Sequence, residues 1–203
     1  MPELIHDIAM RQFEAEGKAA TDKGWRHGYT KIYDEVFEKL RDEPIKLLEI
    51  GVKRGASLRL WAEVFLNAEI FGIDINARCA SHETDRFKII IGDSCDSELI
   101  KEVSEYGPFD IIIDDGSHDM QPQKTTFSLL WPYVNKKGIY VIEDLFTSYN
   151  PNPHDPDRGI DNPDSTIAML KGLVDGIHRH GAGPYDIDSI SFYRKICFIK
   201  KVL

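Results

Sequence analysis

Short, near-continuous apolar runs alternate with stretches of helical period along the chain, with no internal repeat or low-complexity tract between them. IKLLEIG (Ile45 to Gly51), EIFGIDI (Glu69 to Ile75), FKIII (Phe87 to Ile91), FDIIIDD (Phe109 to Asp115) and GIYVIED (Gly138 to Asp144) lack the strict apolar–polar alternation of a half-solvated strand. They read as strands buried on both faces, as in a parallel sheet. SLRLWAEVFL from Ser57, SELIKEV from Ser97 and PQKTTFSLLWPYV from Pro122 supply crossover helices, the first two opened by serine caps. IDSISFY and KICFIKK, separated by little more than Arg194, predict a terminal antiparallel hairpin. The expected architecture is a doubly wound, Rossmann-like α/β fold with a seven-stranded sheet, mostly parallel and closed by the C-terminal hairpin.

After Asp144 the pattern changes to FTSYNPNPHDPDRGIDNPDS, too rich in Pro, Asn, Asp and Gly for a core. Residues 145–164 are long enough to form a functional loop and are expected to cover the substrate as a lid. A helix is expected in STIAMLKGLVDGIHRH, and residues 1–40 form an N-terminal helical cap. At 203 residues and 42% hydrophobic, the sequence fits one domain, residues 1–203, with one core.

A formal charge of −9 argues against bulk attraction to nucleic acid or anionic lipid. Cys79, Cys95 and Cys197 are odd in number and lack CxxC spacing, which fits packing thiols of a reduced compartment rather than disulfides or a zinc site. The charged N-terminus MPELIHDIAMRQFEAEGK has no apolar h-region, and no run is long enough to span a membrane. A cytoplasmic protein is expected.

Ligands of open α/β sheets lie beyond the carboxyl ends of the strands. Here those ends are acidic or glycine-bearing: Glu49 and Gly51, Asp74, Gly92 and Asp93, Asp114 and Asp115, Glu143 and Asp144. In LEIGVKRGAS, Gly51 and Gly55 would let the backbone approach a ligand at a helix start. GxGxxG fails at Lys53, so a nicotinamide dinucleotide is disfavoured. Asp74, about twenty residues on, suits the ribose hydroxyls of an adenosine cofactor, and Asp93 and Ser94 after the third strand suit its adenine.

EIGxxxGAS, GIDI, GDxxD, FDIIIDDGSH and YVIEDLFTSY, in that order, resemble class I S-adenosylmethionine methyltransferases. More narrowly they resemble the metal-dependent sugar O-methyltransferases of the macrocin and mycinamicin type. TDKGWRHGYTKIYDEVF and SISFYRKICFIKK extend the resemblance to nearly all of the sequence. Known members carry an additional N-terminal domain that these 203 residues do not contain, which leaves the acceptor and any homo-oligomer open.

The resemblance implies that Glu49, Gly51, Ser57, Asp74, Asp93 and Asp114 shape the cofactor site. It further implies Asp115, Glu143 and Asp144 as metal ligands and His118 as general base. The residue chemistry agrees, because tips of neighbouring fourth and fifth strands would gather carboxylates that repel one another unless a cation intervenes. An all-oxygen set favours Mg²⁺, with Mn²⁺ or Ca²⁺ as alternatives, over zinc. A vicinal diol would complete the coordination, and a histidine of ordinary pKa about 6.5 suits proton removal.

The expected activity is methyl transfer to a sugar hydroxyl of a natural-product glycoside or polysaccharide precursor. Alternatives are a catechol-type phenol O-methyltransferase, a nicotinamide-dependent oxidoreductase or a nucleotide-binding module without chemistry. Taken alone, His118 would be a turn histidine and Glu143-Asp144 solvated loop ends; the two acidic pairs make those the minority readings. Thr21, Asp22, His27 and Tyr29 either pack the N-terminal helix or cover the cofactor, the resemblance favouring the second. Trp25, Trp61 and Trp131 read as packing residues, and His154, His178 and His180 as surface. Tyr149 either walls the acceptor pocket or is exposed.

Overall fold

The computed structural model describes residues 3–179 and 185–203. Seven strands in a mixed, mostly parallel sheet alternate with helices, and the chain divides into two units, Met1–Gly92 and Asp93–Leu203.

The first unit opens with three helices, α1 (Ile5–Glu16), α2 (Asp22–Trp25) and α3 (Tyr29–Phe37). Asp34 of α3 accepts hydrogen bonds from the Ile5 and His6 amides, satisfying two of the donors that a helix start leaves over. Strand β1 (Lys46–Ile50), helix α4 (Ala56–Val64), β2 (Glu69–Asp74) and β3 (Phe87–Ile91) follow, with β2 paired in parallel to both other strands. Tyr33, Phe37, Trp61 and Phe65 form a buried aromatic cluster between the N-terminal helices and α4. Gly72 of β2 lies at the closest approach of helix to sheet: a Cβ there would sit 2.6 Å from Val52 Cγ2 and 2.8 Å from Leu58 Cδ1. That packing, rather than backbone freedom, requires the missing side chain.

In the second unit α5 (Ser97–Ser104), β4 (Phe109–Asp114), α6 (Met120–Leu130) and β5 (Val134–Ile142) make a parallel crossover. Helix α7 (Thr166–His178) precedes β6 (Ile187–Tyr193) and β7 (Ile196–Lys201). The last two form the expected hairpin, with β7 inserted antiparallel between β5 and β6. Ile111, Ile112 and Ile113 are fully buried, as the unbroken apolar run predicts for a strand covered on both faces.

The helix starts differ from expectation. Gly55, left-handed at φ 67°, precedes α4, and the Asp96 carboxylate caps α5 by accepting from the Glu98 amide at 2.9 Å. Neither Ser57 nor Ser97 is the cap, because each already lies inside its helix. Ser165 does cap α7, accepting from the Ala168 amide at 3.2 Å. Trp61 and Trp131 are buried, and Trp25 stacks on Phe13. Cys79 and Cys197 are buried and Cys95 is half-buried, all three as free thiols. His154 and His178 are exposed, whereas His180 lies outside the described residues. Among the described residues no helix is long and apolar enough to cross a membrane.

Candidate functional site

The first unit carries the glycine turn. Its backbone reverses through positive φ at Gly51 (94°), Lys53 (54°) and Gly55 (67°), and the Gly51 amide bonds to the Ile73 carbonyl at 2.9 Å. At Gly55 a Cβ would also meet His82 Cβ at 3.2 Å. Asp74, at the tip of β2, braces this turn: its Oδ2 accepts from the amides of Val52 (2.9 Å) and Lys53 (2.8 Å), its Oδ1 from Asn76 (2.8 Å). Partial burial works to raise the Asp74 pKa, but the hydrogen bonds from Lys53, Asn76, Cys79 and Val52 outweigh it and hold the carboxyl below its usual value. Ser57 is buried in the first turn of α4.

Glu49, one residue inside the end of β1, is fully buried and committed to protein partners. Lys23 Nζ lies 3.1 Å from its Oε1, and Trp61 Nε1 donates to its Oε2 at 3.0 Å. Lys23 is itself 1% exposed. The sequence pattern offered no sign of this buried ion pair, because nothing in the spacing of TDKGW marks Lys23 as the partner of an acid 26 residues further on. Of the residues around it, Thr21 accepts from the Lys23 amide, Asp22 lies 3.5 Å from His27, His27 stacks on Tyr29, and Tyr29 is buried. These contacts pack the N-terminal segment.

The second unit carries the strand tips after β3. Asp93 accepts from the Cys95 amide at 2.9 Å, and Ser94 shares a 2.9 Å hydrogen bond with Thr126 of α6. Asp114, the last residue of β4, is 2% exposed. Burial raises its pKa to about 7, the Asp115 charge adds to this, and hydrogen bonds from the Gly116 amide and the Tyr140 hydroxyl oppose it.

Three donors gather just beyond. One ligand atom from each of Asp115, His118 and Asp144 lies within 4.8 Å of the others. His118 Nε2 is 3.7 Å from Asp115 Oδ1 and 3.6 Å from Asp144 Oδ2. The polypeptide takes unusual conformations to do this: His118 has φ 57° and Asp144 φ 54°, both left-handed and costly for residues bearing a Cβ. Asp144 starts a 3₁₀ turn, Leu145–Tyr149, where the Thr147 amide and hydroxyl both donate to the Asp144 carbonyl. The His118 Nδ1 atom is buried and has no hydrogen-bond partner among the described residues. Glu143 is buried, and its carboxylate is not among the three grouped donors; its carbonyl accepts from Gln123 Nε2 at 3.4 Å.

Residues 150–164 lie against this turn. Asp155 accepts from the Met120 amide at 2.9 Å, Gln121 donates to Asp157 at 2.6 Å, and Lys124 bonds to the Asp164 carbonyl. Arg158 donates to the His118 carbonyl at 3.0 Å, to Asp119 at 2.6 Å and to Asp155 at 2.8 Å. Neither Asp155 nor Arg158 stood out in the sequence, because a Pro- and Asp-rich loop gives no sign of which charges will be buried. Tyr149 is 42% exposed.

A glycine turn thus follows the first strand, an acid ends the second, and a carboxylate–imidazole group lies past the fourth and fifth. Residues 48–145 match the family model described as a methyltransferase domain, and the chain belongs to that family. Within it, the chain is similar to sugar O-methyltransferases of antibiotic pathways. It is 40% identical over 166 residues to L-olivosyl-oleandolide 3-O-methyltransferase of Streptomyces antibioticus, covering 76% of this chain and 42% of that protein. It is 34% identical over 197 residues to mycinamicin VI 2''-O-methyltransferase of Micromonospora griseorubida, covering 88% and 49%. Among solved structures it resembles the MycE methyltransferase of the mycinamycin biosynthetic pathway in complex with Mg and SAH, with a TM-score of 0.87 and 31% identity. That match covers 100% of this chain and 55% of the other. The chain thus spans about half the length of the curated relatives it matches.

Proposed function

We propose that this chain carries out S-adenosylmethionine-dependent, divalent-metal-dependent methyl transfer to a hydroxyl of a sugar in a glycoside. The observation that carries the reading is the convergence of Asp115, His118 and Asp144 beyond β4 and β5. Two carboxylates so close repel each other unless a positive charge lies between them, and the His118 and Asp144 backbone that presents the group is left-handed at both positions. The donor set fits a hard divalent cation: Asp115 and Asp144 would hold it, with Glu143, the neighbour of Asp144, as a third carboxylate. When bound, that cation supplies a Lewis acid that lowers the pKa of a hydroxyl facing it.

The protein's own groups do the rest. His118 Nε2, 3.7 Å from Asp115 and 3.6 Å from Asp144, is the proton acceptor for the hydroxyl. The glycine turn with Ser57 and the acids Asp74, Asp93 and Asp114 would hold S-adenosylmethionine, which supplies the methyl group. Glu49, paired with Lys23 near the end of β1, would shape that site from the strand that leads into the turn. Asp74 fixes the turn's amides, so its contribution to binding is partly one of shape.

The relatives named above act on sugars, which favours a glycoside over a catechol-type acceptor. Likeness to a putative caffeoyl-CoA O-methyltransferase of Staphylococcus aureus, at 14% identity and a TM-score of 0.59, concerns the fold alone. The test is calorimetry with S-adenosylhomocysteine and with Mg²⁺ or Mn²⁺, followed by transfer of labelled methyl groups to L-rhamnosyl and L-olivosyl glycosides and to catechol. Asp115→Ala should lose cation binding yet keep the cofactor product, and His118→Ala should keep both ligands while losing turnover. Binding of NAD⁺ in place of S-adenosylhomocysteine, cation binding unaffected by the aspartate change, or full turnover in the histidine variant would each overturn the corresponding part.

A further inference from the structure

We propose that Arg158, acting with Asp155, is the positioning residue that holds the His118 turn in its working conformation; this rests on the reading of His118 as proton acceptor. A left-handed histidine is strained and persists only where its surroundings enforce it. Within the turn Ser117 Oγ accepts from the Asp119 amide at 3.2 Å, and from outside it the His118 backbone is held by a side chain 40 residues further along the chain. Arg158 Nη2 donates to the His118 carbonyl at 3.0 Å and to Asp119 Oδ1 at 2.6 Å, while its Nε donates to Asp155 Oδ2 at 2.8 Å. That same Asp155 oxygen accepts from the Met120 amide at 2.9 Å. Residues 118, 119 and 120 are therefore each gripped by one member of a single ion pair.

The pair is built in rather than solvated. The side chains of Arg158 and Asp155 are 12% and 8% exposed, unlike the open surface pairs that contribute little. The grip also has an anchor at the other strand tip: the Gly159 amide, next to Arg158, bonds to the carbonyl of Ser148 at 2.9 Å, in the 3₁₀ turn that Asp144 begins. Loop 150–164 thereby ties the His118 turn to the Asp144 turn and fixes the imidazole relative to both carboxylates. A lysine would keep the charge but lose the planar fork that serves three acceptors at once.

The test combines kinetics with a structural readout. Arg158→Lys and Arg158→Ala should lower kcat for L-rhamnosyl glycoside methylation by about 100-fold, the scale of an ångström-level misplacement, with KM and S-adenosylhomocysteine binding near wild type. In a His118→Ala background the Arg158→Ala change should add no further loss, because both act through one group. Independently of turnover, the three-bond HN–Hα coupling and ¹³Cα shift of residue 118 in labelled protein should leave the left-handed range in Arg158→Ala. Unchanged NMR parameters, an additive loss in the double variant, or wild-type kcat in Arg158→Lys would overturn the proposal. Full activity of His118→Ala alone would instead overturn the catalytic reading, leaving the NMR comparison to decide whether Arg158 sets the turn.

Discussion

Replacing Lys23 by methionine should destabilise the protein far more than its place in a polar N-terminal segment suggests. Methionine matches the length of the lysine stem but removes the ammonium that lies 3.1 Å from Glu49 Oε1, with the two side chains 1% and 0% exposed. Glu49 would lose that ammonium and keep the neutral Trp61 donor at 3.0 Å. Breaking a buried pair on one side costs about 3–5 kcal/mol, since the remaining charge cannot regain water. That is a large share of the roughly 5–15 kcal/mol by which domains are stable. For a chain of this size it corresponds to a fall in Tm of about 6–20 °C. Urea denaturation at pH 8 followed by far-UV circular dichroism measures it, with Lys23→Met/Glu49→Gln as the companion. The double variant should recover most of the loss, because a neutral amide tolerates burial better than an unpaired carboxylate. A single variant within about 1 kcal/mol of wild type, or a double variant no better than the single, would refute the reasoning.

Asp114→Asn should change the pH dependence of stability. A carboxyl raised to about 7 when folded binds its proton more tightly in the native state. Its stabilising contribution is thus complete below the unfolded value near 4 and is lost as pH rises through 7. The asparagine variant should match wild type at pH 4 and exceed it by up to about 4 kcal/mol above pH 7 in metal-free buffer; a constant difference across that range would count against the assignment. Gly72→Ala should cost about 1–3 kcal/mol by overpacking Val52 and Leu58, read as a lower urea midpoint. Asp144→Asn should weaken Mn²⁺ binding, followed by electron paramagnetic resonance, without altering S-adenosylhomocysteine affinity; unchanged Mn²⁺ affinity would remove Asp144 from the cation set.

The strands and the chemistry at their ends were legible in the linear pattern, for local reasons. A run such as Ile111-Ile112-Ile113 has nowhere to go but a doubly covered strand, and the aspartates that follow must then lie at its tip. The same logic gave the hairpin of β6 and β7 and the buried positions of Trp61 and Trp131. The helix starts were less legible. Serine, aspartate and glycine are all cap-forming types, and where they stand close together near a boundary only the structure shows that the backbone enters α4 through left-handed Gly55 and α5 through Asp96.

What tertiary structure alone decided is which charges meet. Sequence spacing could present Asp115, His118 and Asp144 as candidates, yet only the pairing of β4 with β5 brings ligand atoms of residues 29 positions apart within 4.8 Å of each other. Lys23 and Arg158 show the same limit more sharply: each sits in a polar segment, yet Lys23 becomes the buried partner of Glu49 and Arg158, 12% exposed, joins neighbouring Asp155 to the remote Asp119. Hydrophobic burial is roughly additive and can be read residue by residue, whereas the worth of a charge depends on what lies within a few ångströms and on whether water is excluded. The sequence therefore determined the scaffold and the acidic strand tips, and folding decided which of those groups are held rigid, paired and close enough to act together.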